Sequence, residues 1–448
     1  MNSQLHLHIL MLAYYFPPDA SSGAFRPLYF ANHLVEQGIE VTVITVKERD
    51  FLSLQPKDLD LLDRVDPRVR VNRTGLKRPR EALIRLRNRL QSRSSETVNF
   101  SCFEKKHDLS QKEALIQRVK DTITDILASP DPHVGWIPAT VRKGVKLVHR
   151  NNINVLYATG SPWSSFLAAV AIGELTSVPI VLDFRDPWIS NPSFLVRGKI
   201  VRNFEKRMEH IVLRKAAAVI ANTEELQGSF LERYPFLSTK QVHTIPNGFE
   251  SFLTSTKKRM KKMVITHVGA LYFSRNPVQL LKALANLLRQ GVISENEIEV
   301  VFVGGIAIED PSLATVLASP CLRRTVRIIP RVSYDEALKY QISSDILLLI
   351  QPGFPLQIPR KLYEYMAIMR PILALTDTFG ATAQIIQKYK LGEIVPNEIT
   401  KIEQVLRKLY EAWRTDGLVL PSKENLENFL NAKLTVKLVD VFEKLNSI

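Results

Sequence analysis

Cysteine, long apolar runs and metal-ligand clusters are all scarce in this chain of 448 residues. Its two cysteines, Cys102 and Cys321, lie far apart, which argues against a disulfide framework and fits a reducing compartment. No group of Cys and His has zinc-ligand spacing, and no apolar run approaches the length of a membrane span. The first residues lack a basic leader and a cleavage site. We therefore predict a first strand there and a cytoplasmic protein.

Acidic residues are also few, 45 against 60 basic ones, which gives a net charge of +15. Such an excess suits nucleic acid, an anionic membrane surface or an anionic substrate. Between Lys77 and Arg93, seven basic residues and one acid are interleaved with leucine and isoleucine. This pattern is typical of a segment lying on anionic lipid, of a solvated basic face, or of a loop. Nucleic-acid binding is less favoured, because no recognisable module accompanies it.

Short apolar runs alternate with longer helical patterns in both halves of the chain. This alternation predicts an α/β protein with two Rossmann-like, doubly wound parallel-sheet domains, and the length agrees with two or three domains. A turn at 245–249 and a polar stretch at 254–263 mark the linker. We expect a first domain at 1–252 with an insertion at about 48–135, a second domain at 263–420, and a final helical segment at 421–448.

Ligands in open α/β sheets bind beyond the carboxyl ends of the strands, so the residues that follow each strand are site candidates. In the first half, three such segments combine glycine, hydroxyl, aromatic or charged residues. The acidic and basic residues at the tip of the strand 180–184 favour function over packing alone. The candidates are Gly23 and Arg26, then Ser161 and Trp163, then Asp183, Arg185 and Asp186.

In the second half, the segment 358–375 reads as a helix start, a short helix, a turn and a buried strand. Pro359 suits the first helical position, and Lys361 lies three residues before Glu364. A helix N-terminus with a lysine attracts phosphate, and a nearby carboxylate can accept hydrogen bonds from a ribose diol. The segment thus favours a nucleotide diphosphate site. The alternative is an amphipathic helix with a surface ion pair between Arg360 and Glu364.

Four segments, taken in order, resemble the retaining glycosyltransferases of family 4. They are 14–18 (Tyr-Tyr-Phe-Pro-Pro), 183–188 (Asp-Phe-Arg-Asp-Pro-Trp), 245–249 (Ile-Pro-Asn-Gly-Phe) and 361–365 (Lys-Leu-Tyr-Glu-Tyr). The likeness covers nearly the whole chain apart from the insertion. It implies the GT-B architecture, with two Rossmann-like domains facing a central cleft. It also implies an acceptor in the first domain, a nucleotide-sugar donor in the second, and a last helix that crosses back to the first.

The resemblance also implies roles for individual residues. Donor contacts would come from Gly269 and Arg275 at the phosphates, Arg331 near the base, Lys361 at the diphosphate and Glu364 at the ribose. Asp183, Arg185 and Asp186 would position or activate the acceptor hydroxyl, and Gly23, Arg26, Ser161 and Trp163 would bind the acceptor. We expect no metal, because no Asp-x-Asp pair follows a strand, and no cofactor besides the nucleotide-diphosphate sugar.

One position departs from the family pattern of two glutamates separated by seven residues. Glu364 matches the second, but Leu356 stands in place of the first, and the loop 351–357 holds no acid. The expected function is metal-independent, retaining sugar transfer to a hydroxyl acceptor, such as a lipid-linked or surface polysaccharide precursor, at the inner face of the membrane. A degenerate sugar- or nucleotide-binding subunit, a nucleotide-sugar epimerase and a nucleic-acid binder are the alternatives.

Overall fold

The computed structural model describes residues 6–52, 55–77, 125–194, 197–253, 261–272, 274–307 and 310–446. Apart from Lys77, the basic segment from Lys77 to Arg93 lies outside these residues, as does Cys102. The chain folds into two units, each with its own core. The first comprises Met1–Ile220, Leu231–His243 and Asp440–Ile448, and the second comprises Ala221–Phe230 and Thr244–Val439.

The first unit is built on a seven-stranded sheet with the order β3-β2-β1-β4-β5-β6-β7. The neighbours from β3 to β5 pair in parallel. Strands β1, β4 and β5 are buried along their whole length, as expected of parallel strands that are covered on both faces. The strands are β1 His8–Leu12, β2 Glu40–Val46, β3 Arg70–Thr74, β4 Val155–Gly160, β5 Ile180–Phe184, β6 Ala218–Ala221 and β7 Val242–Thr244.

Crossover helices connect these strands, as the alternating pattern predicts. The first of them begins at Ser22 and ends before Gly38, which adopts the left-handed region at φ +80° in open space. The helices up to β7 are α1 Ser22–Glu36, α2 Ile137–Val148, α3 Ser164–Thr176, α4 Lys199–Lys215 and α5 Glu224–Arg233.

Strand β3 lies inside the segment that the sequence presents as a poorly patterned insertion. It pairs in parallel with β2 at the edge of the sheet, a strand that the sequence pattern did not reveal. Its sequence, Arg-Val-Asn-Arg-Thr, has only one buried residue, Thr74. An edge strand exposes most of its side chains, and therefore it lacks the apolar run that reveals a central strand.

The second unit contains a six-stranded sheet with the order β12-β10-β8-β13-β14-β15 and a separate two-stranded pair, β11-β9. Every neighbouring pair is parallel. The strands are β8 Met263–Val268, β9 Leu271–Tyr272, β10 Ile298–Val303, β11 Ile306–Ala307, β12 Val326–Ile329, β13 Ile346–Gln351, β14 Ile372–Thr376 and β15 Gly392–Val395. Two parallel-sheet α/β units are the predicted fold class.

The helices of the second half pack on both faces of this sheet through amphipathic faces. The central cluster places Leu281, Leu284 and Leu288 against the strand residues Ile265 and Phe302. The helices are α6 Val278–Arg289, α7 Pro311–Leu317, α8 Pro320–Thr325, α9 Tyr334–Ile342, α10 Arg360–Ile368, α11 Ala381–Lys388, α12 Ile399–Arg414, α13 Lys423–Leu426 and α14 Asn431–Asn446. The end of α14 belongs to the first unit, where the Phe442 ring lies 6.0 Å from that of Tyr157.

Each sheet has one point at which the strand order reverses. In the first sheet β1 lies between β2 and β4, and in the second β8 lies between β10 and β13. Loops that leave neighbouring strands in opposite directions open a crevice at such a point, so side chains at these strand ends meet. Among the described residues, no helix has both the length and the apolar character that crossing a membrane requires.

Candidate functional site

The end of β8 in the second unit is shaped by two glycines. Gly269 follows the strand with φ +116°, and a Cβ there would lie 2.8 Å from Nζ of Lys361. Gly304 follows β10 with φ +115°, and a Cβ there would lie 2.9 Å from the carbonyl carbon of Gly269. The backbone conformation requires glycine at both positions, and at Gly304 the close approach of backbone atoms requires it as well. The space beside the end of β8 is thus occupied by backbone atoms and by the Lys361 amine.

Lys361 lies in the first turn of α10 and points at the end of β8. Its Nζ is 3.1 Å from Nε2 of His267, a fully buried residue of β8. The other ring nitrogen of His267, Nδ1, lies 3.0 Å from the carbonyl oxygen of Leu348. Since a carbonyl only accepts, Nδ1 carries the hydrogen, and Nε2 accepts a hydrogen bond from the lysine.

The surroundings of Lys361 oppose its positive charge more than they support it. Burial lowers the pKa of Lys361 to about 7, the nearby Arg275 charge lowers it too, and Glu364 acts in the opposite direction. Burial, together with the Lys361 charge, also holds the pKa of His267 well below its usual value, so the imidazole stays neutral. Two cations thus repel each other at a helix start. A bound phosphate would relieve that repulsion.

Glu364 pairs with Arg360 one helical turn earlier, at 2.7 Å. The side chains are only 15% and 16% exposed, so the ion pair that the sequence allows is more enclosed than an ordinary surface pair. The Arg360 guanidinium also lies 5.8 Å from the centre of the Tyr334 ring. Glu364 is thereby held beside the start of α10, within electrostatic range of Lys361.

The other two predicted donor residues differ in position. Arg275 is partly buried and lies 5.9 Å from the ring centre of Phe354, close enough to affect the pKa of Lys361. Arg331 follows β12, the edge strand, and its side chain is exposed. The structure therefore brings Gly269, Arg275, Lys361 and Glu364 together, and it places Arg331 two strands away from β8.

A cleft of about 600 Å³ opens at the carboxyl ends of β13, β14 and β15. It is lined in part by Pro352, Asp377 and Phe379, and the Phe379 side chain is 89% exposed. The Oδ2 atom of Asp377 accepts a hydrogen bond from the backbone nitrogen of Gly353 at 2.7 Å. The acid-free loop 351–357 is thus in contact with a carboxylate supplied by the neighbouring strand end.

In the first unit, Asp183 at the end of β5 is fully buried and surrounded by donors. Arg26 binds both carboxylate oxygens, through Nε and Nη2, each at 2.9 Å. The Tyr157 hydroxyl donates at 2.6 Å and that of Thr159 at 3.0 Å. Burial and the Asp183 charge raise the pKa of Tyr157 well above its usual value, so this hydroxyl remains a donor. Such an arrangement favours Asp183 and Arg26 as a rigid support for neighbouring groups.

Arg185 joins the three neighbouring strand ends of the first sheet. Its Nη2 donates to the carbonyl oxygen of Ser161, after β4. A Cβ on Gly23, in the first turn of α1, would lie 2.6 Å from Nη1 of Arg185, so α1 starts against the guanidinium. Asp186 is partly buried and close enough to contribute to the raised pKa of Tyr15, for which burial is the main cause. The predicted residues of this half therefore do converge.

Trp163, the remaining predicted residue of the first unit, is 9% exposed and lies in an aromatic cluster. Its ring stacks on that of Trp188, with centroids 5.2 Å apart and planes 4° apart. Phe166 and Phe184 contact it from other sides. These contacts support a packing role for most of the ring.

Several polar residues near Tyr15 and Arg185 are not among the predicted site residues. Asp19 is fully buried and accepts from the backbone nitrogen of Ser21 at 2.6 Å, and burial raises the pKa of this carboxyl. Asp131 accepts from the backbone nitrogen of Ser164 at 2.9 Å and from its hydroxyl at 2.7 Å. His133 lies 3.3 Å from the Tyr15 hydroxyl. Both Asp131 and His133 belong to the segment taken as an insertion, where no apolar pattern drew attention to them.

Within the part of the chain that the structure describes, no group of three or more His, Cys, Asp or Glu side chains is arranged to hold a metal ion. The cations of the second unit, Lys361 and Arg275, can balance the charge of a bound phosphate.

Comparison with known proteins identifies the family. Residues 25–248 match the model of the glycosyl transferase 4-like domain, and residues 249–424 match that of the glycosyl transferases group 1. No curated protein matches the sequence. Among solved structures, the chain is similar to a sucrose-phosphate synthase from Thermosynechococcus elongatus, with 13% identity, a TM-score of 0.64, and 99% of this chain and 100% of the other covered.

Two further structures show the same fold over 99% of both chains. A glycosyltransferase from Rickettsia africae has 14% identity and a TM-score of 0.58. Anabaena HepE in complex with UDP and glucose has 13% identity and a TM-score of 0.58. At this level of identity the likeness establishes the fold, while the family models establish the membership. The chain belongs to the glycosyltransferases of the family 4 type, which have the GT-B fold.

Proposed function

We propose that this glycosyltransferase moves a sugar from a nucleotide-diphosphate sugar to a hydroxyl acceptor, with retention of configuration and without a metal. The observation that carries the proposal is the cluster of Gly269, Lys361 and His267 at the point of reversal in the second sheet. HepE, a protein of the same fold, has been solved with UDP and glucose and with UDP-glucose. The residues at the end of β8 and the start of α10 in this chain suit the same class of donor.

The diphosphate is the part of the donor that this cluster fits best. Lys361 and Arg275 supply positive charge, and the first turn of α10 supplies backbone N–H groups. Gly269 lets the backbone approach the phosphates without a side chain in the way. Glu364, held by Arg360, accepts hydrogen bonds from the ribose hydroxyls. Arg331, at the edge of the sheet, remains the proposed contact of the base.

In the reaction, the bond between the anomeric carbon and the diphosphate oxygen breaks, and the acceptor oxygen bonds to that carbon on the same face. The leaving phosphate takes the acceptor proton, so no protein nucleophile is required. Lys361 and Arg275 stabilise the negative charge that develops on the leaving group. The protein supplies electrostatic stabilisation and positioning rather than covalent chemistry.

We assign the acceptor to the strand ends of the first unit. Asp186 and Arg185 are the groups proposed to contact or activate the acceptor hydroxyl, with Gly23, Ser161 and Trp163 nearby. Asp183 and Arg26, which are joined by two hydrogen bonds, would hold the start of α1 and the end of β5 in place for that contact. A lipid-linked or surface polysaccharide precursor is the proposed acceptor class, consistent with the basic character of the chain.

The sugar of the donor would meet a changed environment. Leu356 replaces the first glutamate of the family pattern, but Asp377 contacts the same loop at Gly353. We propose that Asp377 supplies the carboxylate near the sugar that this loop lacks. An Asp377→Asn variant should then alter the preference among donor sugars while the affinity for the nucleotide diphosphate itself is unchanged.

The proposal is tested by a thermal-shift screen of the full chain with nucleotides and nucleotide sugars, followed by transfer assays. A donor at 100 times its Kd should stabilise the protein by about 2.7 kcal/mol. NMR of the product, compared with the donor, should show the same anomeric configuration. An inverted product would overturn retention, and no binding to any nucleotide sugar would overturn the donor assignment.

A second function, binding without turnover as a partner subunit, is favoured by Leu356. It predicts a thermal shift with a nucleotide sugar but neither transfer nor hydrolysis across a panel of acceptors. An epimerase would instead release an altered free sugar without any acceptor. Product analysis in the presence and absence of acceptor separates the three activities.

A further inference from the structure

Helix α4, Lys199–Lys215, carries a row of apolar side chains that face away from the first unit. Ile200 is 62% exposed, Phe204 38% and Ile211 51%. Their spacings of four and seven residues place them within about 40° of one another on a helix of 3.6 residues per turn. The opposite face, with Val201, Val212 and Leu213, is buried. The exposed row is therefore not needed to attach α4 to its own unit.

Acidic and basic residues lie on different faces of α4. Its two glutamates are buried and turned inward: Glu205 pairs with Arg197, and Glu209 pairs with Arg233 at 2.9 Å. The exposed side chains that flank the apolar row are basic or neutral. The exposed basic residues are Lys199, Lys206, Arg207, Arg214 and Lys215, of which Lys215 is 2.8 Å from Glu174.

A cavity of about 560 Å³ opens beside this face. Lys206, Arg207, His210 and Ile211 line it from α4, and Arg233 lines it from α5. Nearby, the Arg214 guanidinium lies 5.1 Å from the centre of the Phe236 ring. Lysine and arginine side chains that converge on an open cavity suit the phosphate of a small headgroup.

We propose that the exposed face of α4 docks the first unit on an anionic lipid membrane. Ile200, Phe204 and Ile211 enter the boundary between headgroups and acyl chains, and the flanking lysines and arginines bind lipid phosphates. A helix that combines an apolar row with cations and no exposed acid is the pattern of an interfacial helix. The residues of this surface are separate in sequence from the segment Lys77–Arg93, and the proposal does not depend on the transferase activity.

Other partners fit this face less well. A single-strand nucleic-acid site relies on aromatic stacking platforms, whereas two of the three apolar residues here are isoleucines. A 17-residue helix is about 25 Å long, and one such row offers far less than the roughly 800 Å² per partner that a stable protein interface needs. The absence of exposed acids on α4 matches a uniformly anionic surface.

The test is sedimentation of the full chain with vesicles at physiological salt. One set contains phosphatidylcholine only, and the other contains phosphatidylcholine with about 30% phosphatidylglycerol. Reversing Lys206 and Arg207 to Glu should weaken binding to the anionic vesicles at least about 20-fold, since each basic residue near such a surface contributes about 1 kcal/mol. The matched control is Lys401→Glu with Arg407→Glu, exposed on α12, which changes the net charge equally. Its binding should change less than twofold.

A second triple variant tests the apolar row. Changing Ile200, Phe204 and Ile211 to Ser should weaken binding about tenfold, because less apolar surface is inserted. The control changes Leu175, Val419 and Val436, which are also exposed, to Ser. Equal losses in the variants and their controls would overturn the proposal. So would full vesicle binding by the apolar-row variant, because it would show that Ile200, Phe204 and Ile211 do not enter the membrane.

These outcomes are separable from those of the donor site. Nucleotide-sugar affinity in solution should be unchanged in every α4 variant, because none of the substituted residues belongs to the second unit's cluster. Circular dichroism of each variant verifies folding. A variant that loses vesicle binding while it keeps donor affinity supports the docking surface, whatever reaction the enzyme performs.

Discussion

The two clusters at the strand ends both contain buried charged residues, but they differ in how well those charges are compensated. In the first unit, Asp183 receives hydrogen bonds from Arg26, Tyr157 and Thr159, and charge and donors balance inside the protein. In the second unit, Lys361 faces a neutral histidine and a second cation, and its pKa falls to about 7. A balanced buried pair supports the fold. Lys361, which Glu364 compensates only in part, favours a bound anion.

This contrast separates two reasons for a charged residue to follow a strand. Removing one partner of a buried ion pair strongly destabilises the protein, because the other charge stays buried without compensation. A cation that is only partly compensated lowers the free energy of unfolding of the empty protein. The binding of an anion offsets that loss. Substitutions in the first cluster should therefore change stability, and those in the second should change donor affinity.

The largest effect should follow from breaking the balanced cluster. Asp183→Asn leaves the buried Arg26 without its counter-charge and should lower the free energy of unfolding by about 3–5 kcal/mol. Urea unfolding followed by tryptophan fluorescence measures this, because Trp136, Trp163 and Trp188 all lie in the first unit. The control is Glu174→Gln, which removes an exposed pair with Lys215 and should change the free energy by less than about 1 kcal/mol. Similar values for both variants would contradict the comparison.

Lys361→Ala should leave the free energy of unfolding nearly unchanged or increase it, but weaken nucleotide-sugar binding. The loss should be about 2 kcal/mol, roughly 30-fold in Kd, as expected of a charge-assisted hydrogen bond. Calorimetric titration of the full chain provides the measurement. Lys339→Ala, an exposed lysine of α9, is the matched control. Equal affinities of the two variants would remove Lys361 from the donor site.

Gly269→Ala tests the space beside Lys361. The new Cβ would meet Nζ at 2.8 Å and the residue would be held at φ +116°, so donor affinity should fall by about 1–2 kcal/mol. Gly291→Ala separates strain from contact, because Gly291 has φ +69° but no atom within 4 Å of an added Cβ. Gly291→Ala should lower stability alone. A normal Kd for Gly269→Ala would show that this turn does not approach the donor.

The smallest effect is a pH dependence of donor affinity. With a pKa of about 7, Lys361 is mostly protonated at pH 6.5 and mostly neutral at pH 8. Binding that requires the ammonium form should therefore weaken as the pH rises, by about eightfold over this range. His267, whose pKa lies well below its usual value, contributes nothing to this change. Lys361→Arg, which stays charged, should abolish the dependence; a sloping profile in that variant would assign it to another group.

Much of the fold could be predicted from the sequence. Strand β5 has the predicted bounds, 180–184, because buried parallel strands are continuous apolar runs. Edge strand β3 was missed, because its side chains are largely exposed. Pro359 was expected at the first helical position but is the N-cap of α10, a difference of one residue.

The candidate sites were less predictable. Lys361, Gly269 and Arg275 were found because they follow strands or begin a helix. His267 was missed because it lies within an apolar strand, where a lone histidine carries no positional signal. Asp377 was missed because its relation to the loop 351–357 depends on the pairing of β13 with β14, which no local pattern reveals. Asp183 is the opposite case. The sequence indicated it as a site residue, but only the structure shows that it is fully buried and that Arg26, Tyr157 and Thr159 donate hydrogen bonds to it.

The environment of Lys361 also has a consequence for chemical labelling. An amine with a pKa of about 7 is half unprotonated at neutral pH, whereas an ordinary lysine, with a pKa of about 10.4, is almost fully protonated. Because only the neutral amine is nucleophilic, a limiting amount of a small acylating reagent should modify Lys361 ahead of surface lysines. Mass spectrometry of peptides would locate the modification, and a bound phosphate ligand would protect the residue. The extent of labelling at Lys361 would thus report whether the site is empty or occupied.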